Sequence, residues 1–417
     1  MALGYLLLAV LFTQVVFMAL STVRRLAHER DQQQLGRERL ETLVRAAKAQ
    51  CKEAEEVTLG WNGHRKFTVA AKVYECEDVF SFHLVPHDRR SLPGFKPGQY
   101  LTFSLEIPGR DKPVVRCYSL SDSPGQADHY RVTIKREPAP ADKPDAPPGV
   151  ASGYFSELVK AGDILNVKAP AGHFFLDMNK PTPIVLLAGG VGVTPMLSMA
   201  KAVAESGSKR EVWFFFGCRS GAEHMLKADM DRLATEHSNI RVEVCYSRPA
   251  PNEVLGRDYQ HTGRVTVEIL KKLLPANNFE FFMCGNGAFM KTLNDGLEAW
   301  GVPEKDIHYE AFGPATVKKK TAPTSAAPAT GGPAVKVTFA KSERTLDWNP
   351  ALLNLLDFAR ENGVRIDSGC CAGSCGSCLV AVKSGGIEYL KTPDAATEEG
   401  SCLTCICKPK GDLVLDA

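Results

Sequence analysis

The feature that most constrains the fold is a cysteine-rich stretch near the end of the 417-residue sequence. Seven of the 13 cysteines lie between positions 370 and 407, and three of them have the spacing Cys370-x4-Cys375-x2-Cys378, with Cys405 following. This spacing is typical of a [2Fe-2S] cluster, because thiolates are soft ligands and the intervening glycines let backbone amides turn toward the sulfurs. A zinc site is the alternative, but it usually combines two separated Cys-x2-Cys pairs. The sequence therefore predicts an iron–sulfur unit over 334–417.

Length and charge restrict the rest of the chain. A chain of 417 residues exceeds one ordinary core, so two or three globular units are expected. The net charge of +2 gives no reason to expect a nucleic-acid partner. The other six cysteines are scattered between Cys51 and Cys284, so they do not indicate a disulfide framework.

The N-terminal segment is apolar. Residues 1–23, MALGYLLLAVLFTQVVFMALSTV, carry no charge, and about 20 apolar residues in a helix cross about 30 Å of hydrocarbon. We therefore expect a transmembrane anchor; a secretory signal peptide is the alternative, but no Lys or Arg precedes the apolar run. Arg24 and Arg25 follow at once, so the positive-inside rule predicts a single-pass protein of the inner (cytoplasmic) membrane with its remainder in the cytoplasm. Residues 24–60 have loosely helical spacing and are predicted to form a helical stalk.

The remaining sequence divides by pattern. Residues 61–175 contain short β-rich runs separated by Pro and Gly, which predicts an antiparallel β-barrel. In 176–314, apolar strands alternate with helical stretches, which indicates a parallel α/β sheet. Residues 315–333 are rich in Ala, Pro, Thr and Lys and are expected to act as a linker. The prediction is thus a multi-domain chain that ends in a small α+β unit at 334–417.

Several short motifs lie where strands end. Arg116-Cys117-Tyr118-Ser119-Leu120 offers a cation, an aromatic face and a hydroxyl, and Lys135 and Gly149-Val150-Ala151-Ser152 follow it. Gly189-Gly190-Val191-Gly192-Val193-Thr194-Pro195 follows a buried strand and opens a helix, as phosphate-binding turns do. Cys284-Gly285-Asn286-Gly287 and Glu310-Ala311-Phe312-Gly313-Pro314 close the α/β region. A glycine-rich turn alone is weak evidence, and the combination carries the argument.

In this order the motifs resemble the RxYS, GxxS, GGxGxxP, CG and terminal ExFGP elements of the ferredoxin-NADP reductase superfamily. The reductase module of flavohaemoglobins is especially similar around AGGVGVTPMLSM, GCRSGAEH and HYEAFGP. The C-terminal text DSGCCAGSCGSCLV and SCLTCICKP resembles plant-type ferredoxin, and a strand at VKVTFA followed by a helix over 351–363 fits the β-grasp fold that this resemblance implies. We therefore expect a barrel that binds FAD, an α/β domain that binds NAD(P)H, and a ferredoxin domain.

The resemblance also implies roles for individual residues. Those expected at the flavin are Arg116 on the diphosphate, Tyr118 against the isoalloxazine ring, Ser119 near N5, Lys135, and Gly149 and Ser152 at a helix start facing the diphosphate. Those expected at the nicotinamide dinucleotide are Gly189, Gly190, Gly192 and Thr194, with Cys284 beside the nicotinamide. Phe312 would cover the other flavin face and Glu310 would be the acidic group of the pocket, so Ser119, Cys284, Glu310 and Phe312 form the candidate catalytic set. FAD is favoured over FMN because the arginine and the helix start together suit a dinucleotide diphosphate.

The cluster ligands follow in the same way. Alignment with ferredoxin implies Cys370, Cys375, Cys378 and Cys405, with Cys402 as the alternative fourth ligand, and leaves Cys371 and Cys407 as non-ligands.

These expectations combine into an electron-transfer chain from NAD(P)H through FAD and [2Fe-2S] to a partner protein, because a flavin converts a hydride into single electrons. The acceptor is expected to be an oxygenase, hydroxylase or desaturase. Direct reduction of quinone or a small acceptor is the alternative, and a non-catalytic membrane redox sensor is a third interpretation. The sodium-pumping quinone reductase subunit has similar modules in the opposite order, which argues against that assignment. The flavohaemoglobin-like motifs favour NADH over NADPH. The cations Arg219 and Arg248 and the hydroxyl of Ser247 could, however, bind the 2′-phosphate of NADPH.

Overall fold

The computed structural model describes residues 61, 63–126, 128–139, 148–312, 335–369, 371, 373, 376–393, 397 and 399–417. Before residue 61 it describes helical positions 14, 17, 18, 20, 22, 37, 39, 40 and 44. The chain divides into two compact units, Met1–Gly60 and Trp61–Ala417. Most of the predicted anchor and stalk, and the whole predicted linker, lie outside the described residues. Within the described part of the chain, no helix is long and apolar enough to cross a bilayer.

The first domain of the second unit is a six-stranded antiparallel sheet with the order β4-β3-β6-β1-β2-β5. Its strands are β1 (Arg65–Cys76), β2 (Val79–Pro86), β3 (Tyr100–Leu105), β4 (Val114–Ser119), β5 (Tyr130–Lys135) and β6 (Ile164–Ala171). Helix α1 (Val150–Glu157) connects β5 to β6. A bridge between Leu120 and Val132 joins the two edges of the sheet, so the predicted antiparallel unit curls toward closure. Its interior is filled by aromatic side chains, among them Phe67, Phe82, Phe103 and Phe155.

The second domain is a parallel sheet with the order β10-β9-β8-β7-β11-β12, as predicted. Its strands are β7 (Ile184–Gly189), β8 (Val212–Cys218), β9 (Ile240–Tyr246), β10 (His261–Thr262), β11 (Glu280–Gly285) and β12 (Ile307–Ala311). Its helices are α2 (Val193–Glu205), α3 (Lys227–Glu236), α4 (Val267–Leu273) and α5 (Gly287–Ala299). Separate apolar cores cover its two faces, so the first five residues of β7 are all buried. The strand order reverses at β7, between β8 and β11, which places a ligand crevice at the carboxyl ends of β7 and β11.

The third domain is a mixed five-stranded sheet with the order β14-β13-β19-β15-β17. Its strands are β13 (Lys336–Phe339), β14 (Arg344–Asp347), β15 (Leu379–Ser384), β17 (Ser401–Leu403) and β19 (Leu413–Leu415), while β16 (Ile387–Tyr389) and β18 (Cys407–Pro409) form a separate pair. Helix α6 (Leu355–Glu361) packs its Leu355 and Phe358 into the core of this domain. The helix begins later than the predicted 351 because the Asn354 side chain accepts a hydrogen bond from the Asp357 amide at 2.8 Å and caps it there.

Candidate functional site

The end of β4 presents the first group of predicted site residues. Because side chains alternate along a strand, Arg116 and Tyr118 share one face and Ser119 lies on the other. The Tyr118 ring makes edge contacts with Phe103 and Phe155, at centroid distances of 5.8 and 5.3 Å, which fixes the plane that it offers to a ligand. Burial raises the pKa of Tyr118 above its ordinary value, so the phenol stays neutral.

Ser119 ends the strand with a buried hydroxyl. Its Oγ is shielded from solvent and has no hydrogen-bond partner among the described residues. A buried hydroxyl without a partner is unfavourable, so this atom fits a site that a polar ligand completes. The arrangement agrees with the expected position beside a flavin ring. Arg116 remains exposed, and its Nη1 donates to the Ser368 carbonyl oxygen of the ferredoxin domain at 3.4 Å.

The start of helix α1 is built from two predicted residues. The Ser152 hydroxyl donates to the Gly149 carbonyl oxygen and accepts from the Glu137 amide, both at 3.1 Å. A side chain at Gly149 would place its Cβ 2.5 Å from the Ser152 Oγ, so only glycine leaves room for this closure. The side chain of Ser152 therefore holds the helix start in place, and the first-turn amides are the groups left to face a diphosphate.

The opposite end of α1 is held by Lys72 of β1, which was not identified from the sequence. Its ammonium group donates to three carbonyl oxygens, those of Phe155 at 3.1 Å, Ser156 at 2.6 Å and Val159 at 2.9 Å. A cation at a helix C-terminus satisfies carbonyls that lack intrahelical partners and interacts favourably with the helix dipole. Lys72 thus fixes the helix whose start faces the flavin site. Nothing local in the sequence marks it, because its partners lie more than 80 residues away.

The turn after β7 forms the predicted nucleotide loop. Gly190 has a positive φ of 55°, and residues Gly190–Gly192 form a single 3-10 turn before α2. A Cβ on Gly192 would lie 2.8 Å from the Gly285 amide nitrogen and closer still to the Cys284 carbonyl group. This close packing explains why the motif has glycine at position 192, where the turn crosses β11. The Thr194 hydroxyl donates to the Val191 carbonyl oxygen at 3.1 Å and stabilises the first turn of α2.

Cys284 and Glu310 meet at the same edge of the sheet, since they are register partners on the parallel strands β11 and β12. Burial raises the pKa of the Cys284 thiol, so it is an apolar wall and not a nucleophile at neutral pH. The Oε2 of Glu310 is shielded from solvent and accepts no hydrogen bond from any described residue. Burial raises the pKa of Glu310 to about 8, with nearby Lys391 opposing the shift. The raised pKa favours the protonated carboxyl group at neutral pH, a form that can donate a hydrogen bond to a ligand.

Two further predicted residues have different surroundings. Lys135 ends β5 with its ammonium 3.5 Å from a carboxylate oxygen of Glu223, which also pairs with Arg219. Both cations are thus directed to a protein carboxylate. Phe312 follows β12 and is 36 % exposed, while Gly313 and Pro314 of the same motif lie outside the described residues. An unpredicted aromatic residue, Phe289, packs over Gly189 and Gly285 at the edge where the nucleotide loop lies; its place just after the CGNG motif was the available signal.

The predicted cluster ligands are described only in part. Cys370 and Cys375 lie outside the described residues. Cys378 and Cys405, which are far apart in sequence, are buried in one apolar cluster with Leu356, Leu403 and Ile406. Both the Thr404 amide and its hydroxyl bind the Cys378 carbonyl oxygen at 3.1 Å, which draws the two ligand segments together. Cys402 and Cys407 belong instead to the main core of the domain, a placement that favours Cys405 over Cys402 as the fourth ligand.

Comparisons with known proteins agree with this arrangement. Three family models match in sequence order: an oxidoreductase FAD-binding domain over 66–176, an oxidoreductase NAD-binding domain over 186–295 and a 2Fe-2S iron-sulfur cluster binding domain over 337–410. A flavohemoprotein of Halalkalibacterium halodurans is 37 % identical over 275 residues, 66 % of each chain. The chain spans less than two thirds of the length of the first curated flavohemoproteins that it matches.

Solved structures show the same likeness. The FAD/NAD binding domain of nitric oxide dioxygenase from Vibrio cholerae O1 biovar El Tor is 33 % identical with a TM-score of 0.54, covering 61 % of this chain and 100 % of that one. Phthalate dioxygenase reductase is 24 % identical with a TM-score of 0.50, covering 85 % and 98 %. The likeness to phthalate dioxygenase reductase is a likeness of fold, and it extends to the C-terminal domain that carries the cysteine motif.

Proposed function

Because the chain belongs to the ferredoxin-NADP reductase superfamily, as an oxidoreductase with FAD-binding, NAD-binding and 2Fe-2S domains, we propose that it carries electrons from NAD(P)H to a partner protein. The observation that carries the proposal is the pair of shielded polar atoms, Ser119 Oγ and Glu310 Oε2, at the ends of the strands that face a cofactor in this family. Neither atom has a hydrogen-bond partner among the described residues, so each is suited to a bound ligand.

The residues of this chain act by binding and orientation. Bound FAD supplies the conversion of a hydride into single electrons, which a [2Fe-2S] cluster carries one at a time. Tyr118 and the start of α1 would hold the flavin, the Gly190–Gly192 turn would hold the dinucleotide, and Cys284 would give the nicotinamide an apolar wall. Glu310, whose carboxyl pKa is raised by burial, is placed to donate a hydrogen bond to a bound ligand once it is protonated. Alignment of two rings in a water-poor site is what hydride transfer requires, so no nucleophile or metal is needed at this step.

The proposed acceptor is an oxygenase, hydroxylase or desaturase. Support comes from the domain order, in which the ferredoxin domain follows the reductase, and from the fold likeness to phthalate dioxygenase reductase. The exposed Arg116 contact with Ser368 supports a ferredoxin domain that approaches the flavin side of the barrel. NADH is the proposed donor, because Glu223 already neutralises Arg219, a cation that would otherwise favour a 2′-phosphate.

We also propose that residues 1–23 anchor the protein to the inner membrane with its catalytic domains in the cytoplasm. The support is the uncharged composition of the segment and the two arginines that follow it. Confinement of reductase and acceptor to one membrane surface would raise their effective concentration. A chain that begins at Arg24 should keep its NADH oxidation but lose attachment to vesicles of inner-membrane lipids. Equal vesicle binding by both chains would contradict the anchor.

The proposed electron path is tested with the reconstituted, full-length protein under anaerobic conditions. NADH should bleach the flavin absorbance, and a [2Fe-2S] electron paramagnetic resonance signal should then appear. The Cys378→Ser variant should lose this signal and its cytochrome c reduction while it retains NADH-dependent reduction of ferricyanide, which accepts electrons directly from flavin. Stoichiometric zinc without labile sulfide, or equal loss of both activities, would contradict the proposed order.

A further inference from the structure

A ring of four charged side chains joins the barrel to the α/β domain. Asp122 and Arg131 come from the barrel, and Lys201 and Asp229 come from helices α2 and α3. Arg131 lies 2.8 Å from Asp229 and 3.6 Å from Asp122, while Lys201 pairs with Asp122 and lies 3.6 Å from Asp229. Each carboxylate therefore contacts both cations, and the ring is closed with two members from each domain. We call these four residues the charge ring.

The charge ring is shielded from solvent. Relative exposure is 6 % for Asp122, 7 % for Arg131 and 8 % for Asp229. Burial alone would raise the pKa of the two carboxyl groups, but Arg131 and Lys201 hold both pKa values below the ordinary value, so Asp122 and Asp229 are carboxylates at neutral pH. Arg232, at the rim, adds a contact of 2.5 Å to Asp229. The two anions thus balance the buried Arg131 and the partly buried Lys201, and Arg232 is a third cation at the surface.

Such a ring fixes geometry more than it adds stability. A buried ion pair often contributes no more than an apolar replacement of the same shape, because desolvation offsets the attraction. Its directional contacts, however, allow few relative positions of the elements that carry it. Here those elements belong to two domains, so the charge ring restricts how the domains can rotate or slide against each other.

The charge ring lies on the elements that carry the two halves of the proposed site. Asp122 is three residues after Ser119, and its carbonyl oxygen accepts a hydrogen bond of 2.7 Å from Ser198 of α2. Arg131 also holds this segment, since its Nη2 donates to the Ser121 carbonyl oxygen at 2.5 Å. Helix α2 begins at Val193, directly after the nucleotide turn, and Lys201 lies eight residues along it. A helix of this length is rigid, so a shift at Lys201 is transmitted to the turn.

We propose that the charge ring is a positioning device for hydride transfer, in which Lys201 and Asp122 set the distance between the flavin-side strand end and the nucleotide-side turn. The inference rests on the proposed function and assigns to it two positioning residues, which act through the strand end and the turn that they hold. Hydride transfer depends steeply on the separation of the two rings, and a displacement of about 1 Å lowers such rates by about 100-fold. Loosening the ring should therefore slow the hydride step more than it weakens the binding of either cofactor.

The test compares holoenzyme variants by single-turnover reduction of the flavin with NADH and with NADH deuterated at C4. Lys201→Met should lower the rate constant by about 10- to 100-fold at saturating NADH and keep a deuterium isotope effect, with FAD content and NADH affinity within about threefold of wild type. Lys201→Arg should recover part of the rate, because it keeps the charge. Ser198→Ala is the milder variant and should slow the step severalfold.

The matched control is Lys180→Met. Lys180 also pairs with a buried carboxylate, since its ammonium lies 2.7 Å from Glu280. In the variant, Glu280 keeps Arg210 as a partner at 2.9 Å. The Lys180–Glu280 pair lies at the opposite, amino-terminal edge of the same sheet. Its hydride rate should equal that of wild type. The proposal is overturned if Lys201→Met reduces flavin within twofold of wild type, if Lys180→Met slows the step equally, or if Lys201→Met fails to fold and Ser198→Ala has the wild-type rate. A wild-type protein that does not oxidise NADH would instead overturn the proposed function.

Discussion

Replacement of Gly192 by alanine perturbs the nucleotide turn by a single methyl group. The backbone of Gly192 has φ −62° and ψ −6°, a conformation that alanine adopts without strain. The effect therefore comes from contact alone. The added Cβ would lie 2.8 Å from the Gly285 amide nitrogen and nearer still to the Cys284 carbonyl group, whereas ordinary contacts begin at 3.4 Å. The turn and the end of β11 must separate for the residue to fit.

The size of the effect follows from this overlap. Relief of the contact requires a movement of about 1 Å, and overpacking of this kind costs about 1–3 kcal/mol of folding free energy. The same movement carries the start of α2 away from β11, where the nicotinamide is expected. We therefore expect Gly192→Ala to lower the rate of flavin reduction by NADH about 100-fold.

The assay combines thermal unfolding with stopped-flow flavin reduction. Gly207→Ala is the matched control, since Gly207 follows the other end of α2, has φ +68° and has no atom within 4 Å of the position that the alanine methyl group would take. Its cost is the strain of a left-handed alanine, about 1–2 kcal/mol, without displacement of the turn. It should unfold at a lower temperature and reduce flavin at the wild-type rate. If Gly192→Ala also reduces flavin within twofold of wild type, the steric reasoning is wrong.

Three further predictions concern the cofactor sites. Cys405→Ser should remove the iron–sulfur signal whereas Cys402→Ser should retain it, as measured by labile sulfide and electron paramagnetic resonance; the reverse result would transfer the fourth ligand to Cys402. The raised pKa of Glu310 means that the folded apoprotein keeps a proton that the unfolded chain has lost, so its stability should fall as pH rises from about 5 to about 8. Glu310→Gln should flatten this part of the curve of melting temperature against pH, and identical curves would show that Glu310 is ionised. Lys72→Met removes three hydrogen bonds from the end of α1 and should weaken FAD binding about 10-fold in fluorescence titrations, since a charged hydrogen bond contributes about 1.5–3 kcal/mol; Lys66→Met on the same strand should bind FAD as wild type does.

The domain order, and the position of the candidate residues at strand ends, were predictable because their signals are local. The alternation of strands and helices between 183 and 311 predicted a parallel sheet, which the structure confirms. Motifs such as Gly189–Thr194 lie at strand ends because a tight turn requires small residues there, so the turn that we expect to bind phosphates could be located from the sequence. The cysteine spacing predicted a 2Fe-2S domain for a similar reason, since one loop must present several ligands.

Two features depend on contacts that were not identified from the sequence, one of them local and the other long-range. The sequence indicated that α6 begins near Ala351, but the cap formed by Asn354 moves its start to Leu355. Lys135 was expected at a cofactor, and its ammonium lies beside Glu223, which is contributed by the other domain. The partner of a lysine depends on which carboxylate the fold brings close to it. Residues far apart in the sequence give no local signal that they will form such a pair.

The sequence by itself therefore determined the kinds of domain, their order and the chemical groups at the strand ends, because periodicity, turn residues and ligand spacing are properties of neighbouring positions. Only the tertiary structure decided the ionisation of Glu310, the support of α1 by Lys72 and the closure of the charge ring around Asp122 and Lys201. Each of these depends on burial and on contacts between charged groups that are tens of residues or more apart in the sequence. Desolvation and Coulomb attraction act through space, so they are fixed only after the chain has folded.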